Sequence, residues 1–202
     1  MRSYFKSRGS DGAQTTRRGF TSARAARDAK RRLTKKIDRA RRGTTDPLDV
    51  CSSRTGLPNR RSLDEEIRRE LARAARMRYQ LSVAMLDIDL FKAYNDRHGH
   101  AAGDRLLREA ANAWRVALRE TDFIARYGGE EFVVLLPSCP PGNAPEILQR
   151  LRAATPAGQT VSGGIARWDG RESPETLLSR ADHALYEAKH TGRDCLIAAR
   201  PN

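Results

Sequence analysis

The stretch RYGGEEF, Arg126–Phe132, runs directly into VVLLP at 133–137 and is preceded by DFIA at 122–125. Two short apolar runs flank a Gly-Gly pair. A Gly-Gly pair between such runs predicts a β-hairpin, because both turn positions are expected to need positive φ. The two glutamates at the tip raise a second question, whether the turn is merely acidic or is a site.

Working outward, the elements alternate. NRRSLDEEIRRELARAARMRY places Leu63, Ile67 and Leu71 at spacing four, an amphipathic helix. LSVAMLDID reads as a short buried strand. GDRLLREAANAWRVALRE is a helix with Leu106, Leu107, Trp114 and Leu118 inward. NAPEILQRLRAA is a third helix, and TVSGGIARW a strand with a glycine kink. In SPETLLSRADHALYEAKHTG, Ser173 caps a fourth helix, Pro174 suits its first turn and Gly192 ends it. DCLIAA closes as a strand. Helices join most strands, yet one strand pair is a hairpin. The expected fold is an α+β sandwich with a mainly antiparallel central sheet and flanking helices, in the β-α-β-β-α-β order of the ferredoxin-like motif.

Of 202 residues, the first 42 hold 15 Lys and Arg against 3 Asp and Glu. The other 160 hold 23 basic and 22 acidic residues, so the net charge of +13 belongs almost entirely to the N-terminal stretch. Residues 1–45 are expected to be a basic tail and linker, with GTTDP at 43–47 marking the junction, and 46–202 the folded domain. RAARDAKRRLTKKIDRARR within the tail can form a basic helix, and residues 1–42 are a candidate weak contact for nucleic acid or another anionic surface. Cys51, Cys139 and Cys195 form no metal-ligand pair and no even disulfide set. The longest apolar runs, of about five residues, are far short of a membrane span. A soluble cytoplasmic protein is expected.

The acidic residues concentrate at strand ends. Asp87 and Asp89 close the first strand, and Glu130 and Glu131 begin a neighbouring one. Consecutive strand residues point to opposite faces, so only one of the two glutamates is expected on the Asp87 side. Carboxylates brought together from adjacent strands repel unless a cation sits between them, and hard oxygen ligands suit Mg²⁺. The plainer alternative is a solvated acidic turn. Lys92, Asn95, His100 and Asp104 follow in FKAYNDRHGHAAGD. Asp104 is either an N-terminal helix cap or, with Asn95, a reader of a guanine edge. Lys189 and Arg193, near the end of the last helix, either offset its dipole or grip a triphosphate.

RTGLPNR, DIDLFKAYND, GHAAGD, RYGGEEF, VSGGIA and ADHALYEAKHTGRD occur in this order. With them the chain resembles the GGDEF-domain diguanylate cyclases of bacteria, over roughly residues 46–200. The resemblance implies a cyclase/polymerase-palm-like sandwich that binds one GTP per domain. Two domains then meet head to head as a homodimer and make cyclic di-GMP and two pyrophosphates. It implies that Asp87 and Glu130, with the carbonyl of Ile88, hold Mg²⁺ (or Mn²⁺). Glu130 would accept the 3′-hydroxyl proton, and Glu131 would be the second signature carboxylate, serving a second metal. With Glu130 as the ligand on the Asp87 side, Glu131 is expected to point away from it unless the hairpin twists. Lys92, Lys189 and Arg193 would contact phosphates, Asn95 and Asp104 guanine, and His100 the nucleotide. Gly128 and Gly129 would let backbone approach the triphosphate. RETD, Arg119–Asp122, fits the family's RxxD product-inhibition motif, with Arg150 as a further arginine of that site.

Two departures stand out. Where the family begins Asp-x-Leu-Thr-Gly-Leu, this chain has Ser52 and Arg54 at the first and third positions, which touches signal relay more than chemistry. The stretch TPAGQ, 155–159, is short where many relatives carry an extra hairpin strand. A rival reading is a catalytically silent module that binds GTP or cyclic di-GMP.

Overall fold

A computed structural model describes residues 51–140 and 142–201. The basic stretch, its candidate helix, the GTTDP junction and the boundary at 45/46 lie outside them. In chain order the elements are α1 (Arg60–Met77), β1 (Leu81–Ile88), α2 (Phe91–His98), α3 (His100–Ala117) and β2 (Phe123–Arg126). Then follow β3 (Glu131–Pro137), α4 (Asn143–Ala153), β4 (Val161–Arg167), α5 (Pro174–His190) and β5 (Leu196–Ala198).

The sheet order is β2-β3-β1-β4-β5, antiparallel throughout except for the parallel β4–β5 pair. The first four strands thus give the expected ferredoxin-like arrangement, extended by one strand. β1 is central and all eight of its residues are buried. Its alternate residues feed two cores. Ala84, Leu86 and Ile88 face the layer made by α3 and α4, with Leu106, Leu107, Trp114, Ile147 and Leu151. Val83 and Met85 face the other layer, where α1 supplies Leu63, Ile67 and Leu71 and α5 supplies Leu177, Ala181 and Leu185. The apolar run of β1 is continuous because both faces are covered.

Local chemistry explains the element ends. Asn59 caps α1 by accepting from the backbone N–H of Ser62 at 3.1 Å, and Ser173 caps α5 by accepting from Thr176 at 3.2 Å, with Pro174 in the first turn. Trp114 is fully buried because its indole N–H finds the carbonyl of Leu151 at 2.9 Å. Its ring meets Phe132 edge-on, with centroids 4.9 Å apart.

Three expectations change. FKAYNDRH, treated in the sequence as a run of polar pieces, forms the helix α2, which packs on α3. The helix expected to open at Gly103 begins at His100. β4 carries no glycine kink: its register against β1 is unbroken from Ser82↔Arg167 to Ile88↔Val161. Its glycines supply room instead. A Cβ on Gly164 would stand 2.0 Å from the Ala181 carbonyl oxygen and 2.2 Å from the Leu185 nitrogen, so α5 rests directly on strand backbone. The short stretch before β4 turns tightly, with Ala157 and Gly158 both left-handed.

Gly164→Ala is therefore expected to destabilise the chain by about 3 kcal/mol or more, since helix backbone and not a flexible side chain must give way. Gly129→Ala, whose Cβ would meet nothing within 4 Å, should fall within about 0.5 kcal/mol of wild type. Urea unfolding midpoints of the two variants check both.

Candidate active site

β1 and β3 pair in a register that ends on Asp87↔Glu131. Residues directly opposite in an antiparallel pair project from the same face. Asp87 and Glu131 therefore share the α1/α5 face, and Glu131 lines a cleft of about 630 Å³ between those helices together with Met85, Tyr127 and Asp182. This corrects the expectation that Glu131 points away from Asp87. The alternation rule was applied as if the strand began at Glu130, but β3 starts at Glu131 and Glu130 belongs to the turn. Glu130 stays close: its carbonyl accepts from the Ile88 N–H at 3.4 Å.

Burial drives the Asp87 carboxyl up from 3.8 to about 6. The Lys189 ammonium opposes that shift, while Glu130 and Glu131 add to it. Lys189 reaches from the last turn of α5 to Asp87 Oδ2 at 2.7 Å. Asp89 is different. It is buried, and accepts from Thr160 Oγ1 at 2.7 Å, Ser162 Oγ at 2.6 Å and the Asp194 N–H at 3.1 Å. It ties the end of β1 to β4 and to the loop after α5.

The tip of the hairpin is built otherwise than the Gly-Gly pair suggested. Neither Gly128 nor Gly129 is left-handed. A Cβ on Gly128 would lie 2.7 Å from Glu131 Oε2, the end of a flexible side chain that would have to shift. The tip is clasped by Arg126, whose Nε donates to the carbonyls of Gly128 (3.0 Å) and Gly129 (2.9 Å) and whose Nη1 donates to Ser52 Oγ at 3.1 Å. The Arg126 N–H also donates to the Pro58 carbonyl at 2.8 Å. Ser52, a departure from the family pattern, is thereby still tied to the signature turn.

A second group adjoins. Asn95 of α2 lies against Gly103 of α3, whose Cβ, if present, would be 1.8 Å from Asn95 Oδ1. Asp104 is the next residue of α3, so both candidate base readers lie at the α2–α3 contact. Asp104 does not cap α3: its N-cap is Gly99, without a side-chain hydrogen bond, and Asp104 instead pairs with Arg54 at 3.3 Å. Lys92, His100 and Arg193 are solvent-facing on the bordering elements, in the first turn of α2, at the start of α3 and after α5. Arg193 is left-handed, its N–H closing onto the Ala188 carbonyl.

Arg119 and Asp122 occupy the turn between α3 and β2. Asp122 Oδ2 accepts from the Arg119 backbone N–H at 2.8 Å, and its Oδ1 is buried with no hydrogen-bond partner. Burial raises the Asp122 carboxyl against the pull of Arg119 and Arg150. Arg150 approaches from α4, donating to the Ala117 carbonyl at 3.3 Å. The three residues lie together.

Sequence reasoning missed the contact of Arg54 with Asp104 and the bracing roles of Ser52 and Asp89.

A ferredoxin-like sheet with carboxylates gathered where its central strand ends defines the palm class of nucleotide-handling folds. Comparison with known proteins agrees. The family model described as "Diguanylate cyclase, GGDEF domain" matches residues 51–195. Diguanylate cyclase DgcP of Pseudomonas aeruginosa is 46% identical over 172 residues, covering 80% of this chain and 25% of the relative. Response regulator PleD of Caulobacter vibrioides is 36% identical over 163 residues, covering 74% and 36%. The chain thus spans about a quarter to a third of these relatives' lengths. Among solved structures, Pseudomonas aeruginosa diguanylate cyclase SiaD in complex with its activator SiaC matches with a TM-score of 0.73 and 36% identity, over 86% of this chain and 69% of that one. The GGDEF domain of DgcB from Caulobacter crescentus in complex with c-di-GMP matches at 0.70 and 33%, over 74% and 95%. The chain belongs to the GGDEF family.

The Asp87 carboxyl is raised in the folded state, so its contribution to stability is complete below pH 3.8 and is lost as pH rises through about 6. In metal-free buffer, wild type should lose stability relative to Asp87→Asn between pH 4 and 7. Paired urea titrations across that range measure the difference, and added Mg²⁺ should shrink it.

Proposed function

We propose that this chain is a diguanylate cyclase that condenses two GTP molecules into cyclic di-GMP and two pyrophosphates. The observation that carries the proposal is the pairing of Asp87 with Glu131 beside Glu130 and Lys189 at one end of the central strand. Among the described residues no three His, Cys, Asp or Glu side chains form a ready-made metal cage. One or two carboxylates are what Mg²⁺ usually takes from a protein when phosphate oxygens and water complete its shell. The donor set and the raised Asp87 carboxyl fit such an ion. Asp87, Glu130 and the Ile88 carbonyl would hold it, with Glu131 reinforcing the negative charge from the Asp87 face. When bound, a divalent cation neutralises charge on the α-phosphate and its pyrophosphate leaving group.

The chain's own groups supply the rest. Asn95 and Asp104 orient guanine: a carboxylate accepts from N1–H and N2–H₂. Lys92, Lys189 and Arg193 bind phosphate oxygens, and His100 borders the nucleotide. Gly128 and Gly129 let the turn backbone lie close to the triphosphate. Glu130 accepts the proton of the 3′-hydroxyl as its oxygen attacks the α-phosphate of the GTP held by a second copy, and pyrophosphate departs. Each copy does this once, so the reaction requires a head-to-head homodimer. A reaction that consumes GTP places the domain in the cytoplasm. The buried, unpartnered Asp122 Oδ1 beside Arg119 and Arg150 supports a separate product site, where the carboxylate takes a guanine edge and the guanidinium groups take guanine or phosphate.

Incubation of the purified chain with GTP and Mg²⁺ should yield cyclic di-GMP, and Glu130→Gln or Asp87→Asn should abolish turnover with the fold retained. Binding of GTP without product at high protein concentration refutes the proposal in favour of a silent module. Arg119→Ala should keep turnover and lose inhibition by cyclic di-GMP, read from initial rates with product added.

A further inference from the structure

The contact between Arg54 and Asp104 joins the candidate guanine pocket to a residue that the family pattern does not supply. Arg54 Nη1 stands 3.3 Å from Asp104 Oδ1, with the two side chains 61% and 36% exposed. The backbone that carries Arg54 is held. Ser52 N–H donates to the Leu57 carbonyl and Gly56 N–H to the Ser52 carbonyl, both at 2.8 Å. Thr55 and Leu57, which follow Arg54, are buried. The long Arg54 side chain is exposed and free to move, and in the structure it rests against Asp104. Arg54, Asp104 and Glu130 all act electrostatically on Arg126, so Arg54 lies near the signature turn as well as near Asp104.

We propose that Arg54 sets nucleotide affinity and purine selectivity by competing with guanine for the Asp104 carboxylate. The inference rests on the reading of Asp104 as a guanine acceptor. Guanine offers N1–H and N2–H₂ to that carboxylate, and the Arg54 guanidinium offers N–H donors to the same oxygens. With Arg54 in place, one acceptor position on Oδ1 is taken and the carboxylate charge is partly offset, so Asp104 accepts less well from guanine. Nucleotide therefore binds best to the molecules in which Arg54 has swung away, and its apparent affinity is reduced accordingly. An exposed ion pair is weak, so the reduction is modest, about two- to five-fold. Adenine presents an unprotonated N1 where guanine carries a proton, and it does not depend on Asp104 as an acceptor in the same way. Competition by Arg54 consequently falls on GTP more than on ATP.

The test is calorimetric titration of the full chain, with Mg²⁺, by 3′-deoxy-GTP and 3′-deoxy-ATP, which lack the attacking hydroxyl. Wild type, Arg54→Leu, Arg54→Gln, Asp104→Asn and the Arg54→Leu/Asp104→Asn pair are compared. Both Arg54 variants should bind 3′-deoxy-GTP about two- to five-fold more tightly and 3′-deoxy-ATP unchanged, and the gain should vanish in the double variant. Weaker or unaltered binding of 3′-deoxy-GTP overturns the proposal. So does an equal shift for both nucleotides, which would place Arg54 on the shared triphosphate. If Asp104→Asn alters neither the affinity for 3′-deoxy-GTP nor its advantage over 3′-deoxy-ATP, the guanine reading of Asp104 has failed and the competition with it. If Asp104→Asn weakens 3′-deoxy-GTP while Arg54→Leu does nothing, only the competition has failed.

Discussion

The pairing of β1 with β3 forces like charges together in a partly dry place. Asp87 and Glu131 are register partners at the end of the central strand, and Glu130 adjoins them. Nothing in strand pairing itself favours this: carboxylates opposite one another repel, and burial penalises their charge. The arrangement persists because both strands are anchored by the cores on the two faces of the sheet, and because Lys189 from α5 sits against Asp87. One cation thus offsets part of a concentration of negative charge that a second cation can offset further. That demand for positive charge is the physical basis of the proposed chemistry.

The surroundings keep the cluster in place by making many small connections to it. Arg126 binds the carbonyls of the turn and the hydroxyl of Ser52, so the segment entering the domain and the signature turn are held by one guanidinium. A half-buried guanidinium with several carbonyl partners gives rigidity through geometry, which a point charge does not. Asp89 does the corresponding work on the other side, collecting two hydroxyls and a backbone N–H from β4 and the loop after α5. The two aspartates of DID therefore divide, Asp87 open to chemistry and Asp89 committed to architecture.

Much of this was legible in the chain. The alternation of helix and strand patterns, the hairpin and the helix cap at Ser173 follow from local rules, because each rests on neighbours within a few residues. The inward leucines of α1 and the burial of Trp114 follow from periodicity. The motifs in their order pointed to the family, which the comparison with known proteins bears out. What misled was of two kinds. The turn was read from glycine's tolerance of positive φ, yet neither Gly128 nor Gly129 adopts it. The α2 helix was passed over because its eight residues have one buried apolar side chain, Phe91, and so almost no periodic signal.

The sequence by itself determined the class of fold, the position of the signature hairpin and the residue types that gather at its tip, since those depend on local propensity and on polar–apolar pattern. Only the tertiary structure decided which carboxylate faces which. A strand's side-chain period is two, so a one-residue change of register against β1 would put Glu130, and not Glu131, on the Asp87 face, and that register is set by the tertiary pairing. The same holds for Arg126 with Ser52, Asp89 with Ser162 and Arg54 with Asp104. These contacts span between 50 and 74 positions of the chain, and no local rule links such residues until the sheet and its two helical layers have brought them together.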